Sequence, residues 1–233
     1  MSTSPTSAEP GVARLYGYWR STAAWRVRIA LNLKQLAWSS TPVHLVRDGG
    51  EQRLPAFRAR NPQGLVPVLE IDGRLLTQSL AIIEYLDETR PTPPLLPADP
   101  VGRARVRSLA QLVAADIHPL NNLRVLQQLR DRFGLDDAQR DDWYRHWVYE
   151  GLRALETRLA GEAETGRFCH GDTPGLADCC LVPQLYNARR YRCELDAFPT
   201  LLSIEAACGE LEAFRSAEAD AQADAQANAT TTS

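Results

Sequence analysis

The stretch Tyr16-Gly-Tyr-Trp-Arg-Ser-Thr-Ala-Ala-Trp-Arg-Val-Arg-Ile-Ala-Leu-Asn-Leu33 decides how this chain is read. It begins inside a run, residues 13–18, where small or apolar residues alternate with aromatics, as in a strand. From Ala23 to Gln35 the apolar residues Val27, Ala30 and Leu31 recur at i, i+3, i+4, which is helical spacing. Ser21 stands in the tight turn between them. The unpaired N–H groups and positive dipole end of a helix start favour an anion there. A thiolate in that place would be nucleophilic at neutral pH. The stretch holds no cysteine, so the thiol would come from a bound molecule. Taken alone, Ser21 reads first as an ordinary N-cap.

Outward from this stretch, Trp38 to Leu45 reads as a second strand, parallel to the first if the helix is a crossover. Asp48-Gly49-Gly50 is a loop, and Glu51 to Arg60 a short helix stopped by Asn61-Pro62. Val66 to Ile71 and Arg74 to Thr77 form a hairpin around Asp72-Gly73. Ser79 caps a helix through Glu88, with Leu80, Ile83 and Leu86 on its buried face. The order βαβ-α-ββ-α describes an α/β sandwich with a mixed four-stranded sheet. Residues 90–99 are a proline-dense linker. Beyond it strand signals vanish. Helical patterning runs over about 100–133, 137–160, 176–189 and 201–211, an all-helical unit. The expected domains are therefore 13–89 and 100–215. Residues 1–12 and 216–233 lack periodicity and are expected to be disordered tails.

At 233 residues the chain can bury one large core or two modest ones. Its net charge of −3 argues against a nucleic-acid partner. No apolar run approaches a membrane span, and the first twelve residues have neither a basic start nor an apolar core of a signal peptide, so the cytoplasm is expected. Of 26 basic residues only Lys34 is a lysine, so an anion site here is expected to use arginine. The five cysteines, Cys169, Cys179, Cys180, Cys193 and Cys208, show no C-x-x-C spacing and read as reduced, mostly buried thiols; no metal site is expected.

Two further places carry chemistry in the first unit. Val66-Pro67 opens a strand, and a cis bond there would leave the Val66 backbone free to pair with an extended peptide-like ligand. A trans proline at a strand start is an equal reading. Gln78-Ser79 begins a helix that could hold a carboxylate. A thiolate site, a peptide edge and a carboxylate site thus follow one another. Glutathione offers all three features.

The motifs that match a known family are residues 19–31, Asn61-Pro-Gln-Gly-Leu-Val-Pro67, Gln78-Ser-Leu-Ala-Ile-Ile-Glu-Tyr-Leu86 and the linker 89–97. Asp116-Ile-His-Pro-Leu-Asn-Asn122 and 171–184 continue the match into the second half. In these the chain resembles the zeta class of glutathione transferases, with a thioredoxin-like N-terminal domain and a helical C-terminal domain. That class includes the maleylacetoacetate and maleylpyruvate isomerases of aromatic catabolism.

The resemblance implies that glutathione is the cofactor, that Ser21 activates its sulfur, and that Val66 pairs with its cysteinyl backbone. It also implies that Gln78 and Ser79 hold its γ-glutamyl end, and that His118 and Asn122 reach it from the helical domain. Arg20 and Arg190 would hold the carboxylates of a small dicarboxylate substrate, and a homodimer is implied. The implied reaction is thiolate addition to an activated maleyl double bond, rotation, and elimination. A transferase that conjugates or dehalogenates small electrophiles is the alternative enzyme; a binding module without turnover is the non-enzymatic one. Two departures stand out. Ala23 occupies a position that is often cysteine in the class, and Gly175 one that is usually serine or threonine in a capping box before Asp178. From the second, Gly175→Thr is expected to stabilise the fold.

Overall fold

A computed structural model describes residues 12–225. Four strands, β1 (Ala13–Gly17), β2 (Trp38–Pro42), β3 (Val68–Ile71) and β4 (Arg74–Thr77), form one sheet in the order β2-β1-β3-β4. β1 and β2 are parallel; β3 runs antiparallel to β1 and β4. Around the sheet lie α1 (Thr22–Leu33), the single turn α2 (Pro55–Arg58) and α3 (Ser79–Thr89). After the linker come α4 (Pro100–Gln111), α5 (His118–Leu120), α6 (Leu123–Phe133), α7 (Asp137–Gly161), α8 (Leu176–Arg190), α9 (Pro199–Gly209) and α10 (Glu212–Arg215). The second strand is shorter than the expected stretch from Trp38 to Leu45. Pro42 ends it, and the short helix expected over Glu51 to Arg60 is divided into a 3-10 turn, Glu51–Arg53, and the single turn α2.

α1 organises the molecule. It is not amphipathic, as its spacing suggested, but buried all along from Thr22 to Leu31 save Ala23. One side meets α3; another meets α8, where the Trp25 and Tyr186 rings pack edge-on at 5.0 Å. A helix buried on every side needs no polar face. The core therefore runs without a break from Leu15, Val27 and Leu69 to Leu109, Leu152, Leu181 and Leu201 in the helical half. The linker is fastened to α1 by the one lysine: Lys34 Nζ lies 2.7 Å from Asp87 Oδ1 and donates to Arg90 O at 2.7 Å.

The helical pattern over 100–133 is not one helix. It passes from α4 into a π-helical stretch, Leu112–Ile117, then α5, and breaks at Asn121–Asn122 before α6. Pro119 has no N–H for an i→i−4 bond, and a π-bulge adjusts the ladder ahead of it. Asn122 starts α6 as its N-cap, accepting from Arg124 N at 3.1 Å. This break points the 118–124 turn back at the start of α1.

The expected C-terminal tail is corrected for its first ten residues. Residues 216–225 pack on α1, with Ala217 and Ala219 fully buried and Gln222 nearly so. Arg28 Nε donates to Ala217 O at 2.9 Å, and Trp19 N donates to Asp224 Oδ2 at 2.9 Å. Alanines spaced by two leave no apolar periodicity to read, yet small residues are what close approach to α1 requires. Residues 1–11 and 226–233, also expected to be tails, lie outside the described residues.

Gly175 is corrected as well. A Cβ built there would stand 2.8 Å from the Leu95 carbonyl oxygen, which also accepts from Leu176 N at 2.9 Å. The glycine is what allows α8 to touch the linker. Half of the capping arrangement remains: buried Asp178 accepts from Gly175 N at 2.8 Å and from Cys169 N at 2.9 Å.

Candidate active site

Ser21 is the N-cap of α1. Its Oγ accepts from Ala24 N at 3.3 Å, and its N–H donates to Tyr18 O at 2.9 Å. The hydroxyl hydrogen is left free to donate. No acidic residue occupies the first turn of α1, so its positive end is not neutralised locally. Trp19 is gripped on both sides, by Asp224 at its N–H and by Arg28 Nη2 at its carbonyl, 3.0 Å away. The direction in which Arg20 and Ser21 leave that residue is thereby set.

Ser21 opens on a cavity of about 460 Å³ between the sheet side and the helical side. Arg20, Arg53, Arg58, Arg124 and Arg190 line it, and no aspartate or glutamate does. None of the five forms an ion pair among the described residues. In a chain of net charge −3 this is a local excess of positive charge. The Arg20 guanidinium lies 5.1 Å from the Trp19 ring centre. Arg190 Nη1 is steadied by Asn187 Oδ1 at 2.9 Å. The stacked rings of Tyr144 and Tyr191, 3.5 Å apart, form part of the wall.

A second cavity of about 430 Å³ shares Val66, His118, Asn122 and Arg124 with the first and adds Arg26, Pro67, Gln78 and Ser79. The Val66–Pro67 bond is cis. Val66 lies just outside β3, and its main-chain N–H and C=O bond to nothing among the described residues. Gln78, not Ser79, is the N-cap of α3; it takes φ 68°, ψ 114°, and its Nε2 donates to Gln63 Oε1 at 2.8 Å. A glutamine at positive φ is an uncommon backbone state of the kind that collects at ligand sites. Ser79 is buried as the first helical residue, and its Oγ accepts from Arg26 Nη1 at 3.3 Å.

His118 is half-buried between the cavities. Its Nδ1 is 3.1 Å from Thr22 Oγ1. Desolvation, with the cations of Arg26 and Arg124 adding to it, pushes its pKa down to about 3, so the imidazole is neutral.

The structure thus brings Arg20, Ser21, Val66, His118, Asn122 and Arg190 to one cavity and Val66, Gln78, Ser79, His118 and Asn122 to its neighbour. Sequence reasoning missed Thr22, Arg26, Arg53, Arg58 and Arg124. Arg26 had a signal: with Arg28 it interrupts the mostly apolar run of α1, five residues after Ser21. Arg53, Arg58 and Arg124 look in sequence like any surface arginine. The cysteines stand apart from both cavities; all five are free, and four are buried. Burial holds the Cys180 and Cys193 thiols up at about 11. No cluster of metal-ligating side chains occurs among the described residues.

Comparison with known proteins returns a glutathione S-transferase for both halves of the chain. The family "Glutathione S-transferase, N-terminal domain" matches residues 15–94, and "Glutathione S-transferase, C-terminal domain" matches 127–214. The chain belongs to the glutathione S-transferase family. Within it, a probable maleylacetoacetate isomerase of Vibrio cholerae is 53% identical over 204 residues, 87% of this chain and 94% of that one. A holo structure of a maleylpyruvate isomerase, described as a bacterial zeta-class glutathione S-transferase, superposes with a TM-score of 0.88 at 50% identity, covering 91% of this chain and 99% of that one. A maleylacetoacetate isomerase from Methylobacterium extorquens AM1, with malonate and glutathione bound, gives 0.87 at 46% identity over 91% of this chain and 99% of that one.

Proposed function

We propose that this protein is a glutathione-dependent cis–trans isomerase that converts a maleyl keto acid, maleylacetoacetate or maleylpyruvate, to its fumaryl isomer. The observation that carries the reading is the junction of Ser21, at the bare positive end of α1, with a cavity lined by five arginines and no carboxylate. The donor set fits glutathione: the free Val66 main chain suits its peptide portion, and buried Arg26 has guanidinium nitrogens without a partner beside Ser79. When bound, glutathione supplies a thiolate that can add to an activated double bond and leave again after rotation.

The chain's own residues position and stabilise. The Ser21 hydroxyl and the first N–H groups of α1 hold a negative sulfur before attack and on departure. Val66, Gln78, Ser79, His118 and Asn122 orient the tripeptide. In the tautomer where Nδ1 accepts a hydrogen bond from the Thr22 hydroxyl, neutral His118 presents Nε2–H as a donor. Arg20 and Arg190, joined by Arg124, hold the substrate's carboxylates and offset charge that grows on its oxygens. Conjugation or dehalogenation of general electrophiles is disfavoured, because an apolar pocket would suit them and this one is basic. The working form is a cytoplasmic homodimer acting in aromatic catabolism; no described helix is long and apolar enough to cross a membrane, and light scattering will report the assembly.

The deciding experiment follows maleylpyruvate and maleylacetoacetate by proton NMR with purified protein, with and without glutathione. Fumaryl product should form only with glutathione, without its net consumption. Turnover in its absence would overturn the proposal.

A further inference from the structure

Arg26 is the most anomalous charge in the molecule. It is 1% exposed, and no carboxylate pairs with it among the described residues. Of its three nitrogens only Nη1 has a partner, Ser79 Oγ at 3.3 Å; Nε and Nη2 have none. Removing a charge from water is expensive, and the expense is recovered only by a counter-charge and satisfied donors. A guanidinium with five N–H groups and one partner therefore asks what the others serve. An arginine kept for packing alone would be better replaced by a leucine or methionine of similar volume.

The surroundings narrow the answer. Arg26 lines the smaller cavity with Gln78, Ser79 and Val66, and no acidic residue lines it. The start of the 11-residue helix α3 faces the same space, with no acidic residue in its first turn. Because Ser79 Oγ accepts from Arg26, its own hydroxyl hydrogen is free for a ligand, and a donor behind it makes it a stronger donor in turn.

We propose that Arg26 is the counter-charge for the α-carboxylate of the γ-glutamyl group, attracting it across the cavity and polarising Ser79 to bind it. This rests on the glutathione reading above and adds a positioning residue to it. The ligand's carboxylate then compensates the buried cation, so folding leaves the charge poised and binding completes it.

The test is a ligand-truncation cycle by calorimetry. Glutathione is compared with 4-aminobutanoyl-cysteinyl-glycine, which keeps the amine and thiol but lacks the α-carboxylate. Wild type should bind glutathione on the order of 30-fold or more tightly than the analogue, the scale expected for truncating one side of a buried charge pair. In Arg26→Met the preference should shrink to a few-fold, with analogue affinity little changed; Arg26→Lys, which keeps a cation, should fall between. A merely structural arginine would weaken both ligands alike. The proposal is overturned if Arg26→Met keeps the wild-type preference, or if wild type binds both ligands equally well, which leaves the glutathione reading standing. Wild type binding neither ligand would remove that reading, and this proposal with it.

Discussion

Thr22 Oγ1 and His118 Nδ1 lie 3.1 Å apart, joining the first turn of α1 to the turn ahead of α6. This contact crosses from the sheet half to the helical half at the candidate site. It also marks a histidine that the fold keeps uncharged.

The His118 imidazole titrates at about 3 in the fold and at about 6.5 when unfolded. Between those values the unfolded chain binds more protons, so stability falls as pH drops below 6.5 and is unaffected above it. At pH 5 the loss from this residue is about 2 kcal/mol at most, since the partly exposed ring is screened. Urea unfolding at pH 7 and pH 5 should show a smaller difference for His118→Asn than for wild type.

Arg190 belongs to the run Arg189-Arg190-Tyr191-Arg192 at the end of α8. The structure separates its members: Arg189 pairs with Glu205, and Arg190 lines the basic cavity. Arg190→Met should lower kcat/KM for the dicarboxylate substrate roughly 10- to 100-fold while leaving glutathione affinity unchanged. Arg189→Ala should leave both constants as they are. Steady-state kinetics with varied acid and fixed glutathione will read the difference.

At Gly175 the expected gain from threonine reverses sign. The Leu95 carbonyl occupies the space a side chain needs, so either that backbone shifts or the α8 start does. Gly175→Thr should lower stability by about 1–3 kcal/mol, as overpacking does. A thermal melt that rises instead would contradict the packing described.

Asp224 acts on the site from the segment expected to be disorder. Losing its carboxylate frees the Trp19 N–H and takes a favourable charge from buried Arg28, whose pKa burial holds down at about 10. Asp224→Ala should cost about 1–3 kcal/mol in stability and lower kcat more than glutathione affinity. Chemical unfolding together with kinetics tests both halves; no change in either would make the segment's packing incidental.

Much of this arrangement was legible because local rules act at short range. The Asp72-Gly73 hairpin, the helix after Ser21 and the proline linker each follow from residues adjacent in sequence. What escaped depends on distant partners. The burial of α1 on all sides needs α8, which begins about 140 residues later. The packing of Ala217 and Ala219 is invisible to periodicity. Arg124 and Arg53 become part of a basic cavity only once the break at Asn121–Asn122 turns α6 toward Ser21. Gly175 misled because a capping rule considers the helix end alone, whereas the linker carbonyl beside it decides the outcome.

The central claim is that the start of α1 and the Ser21 hydroxyl hold a glutathione sulfur as its thiolate. Its most direct test is the ultraviolet thiolate absorbance of enzyme-bound glutathione, titrated against pH in wild type and Ser21→Ala. The account predicts a bound-thiol pKa well below that of free glutathione, moving back toward the free value when the hydroxyl is removed. A bound thiol that titrates like free glutathione in wild type, or a depressed value that Ser21→Ala leaves in place, would contradict it.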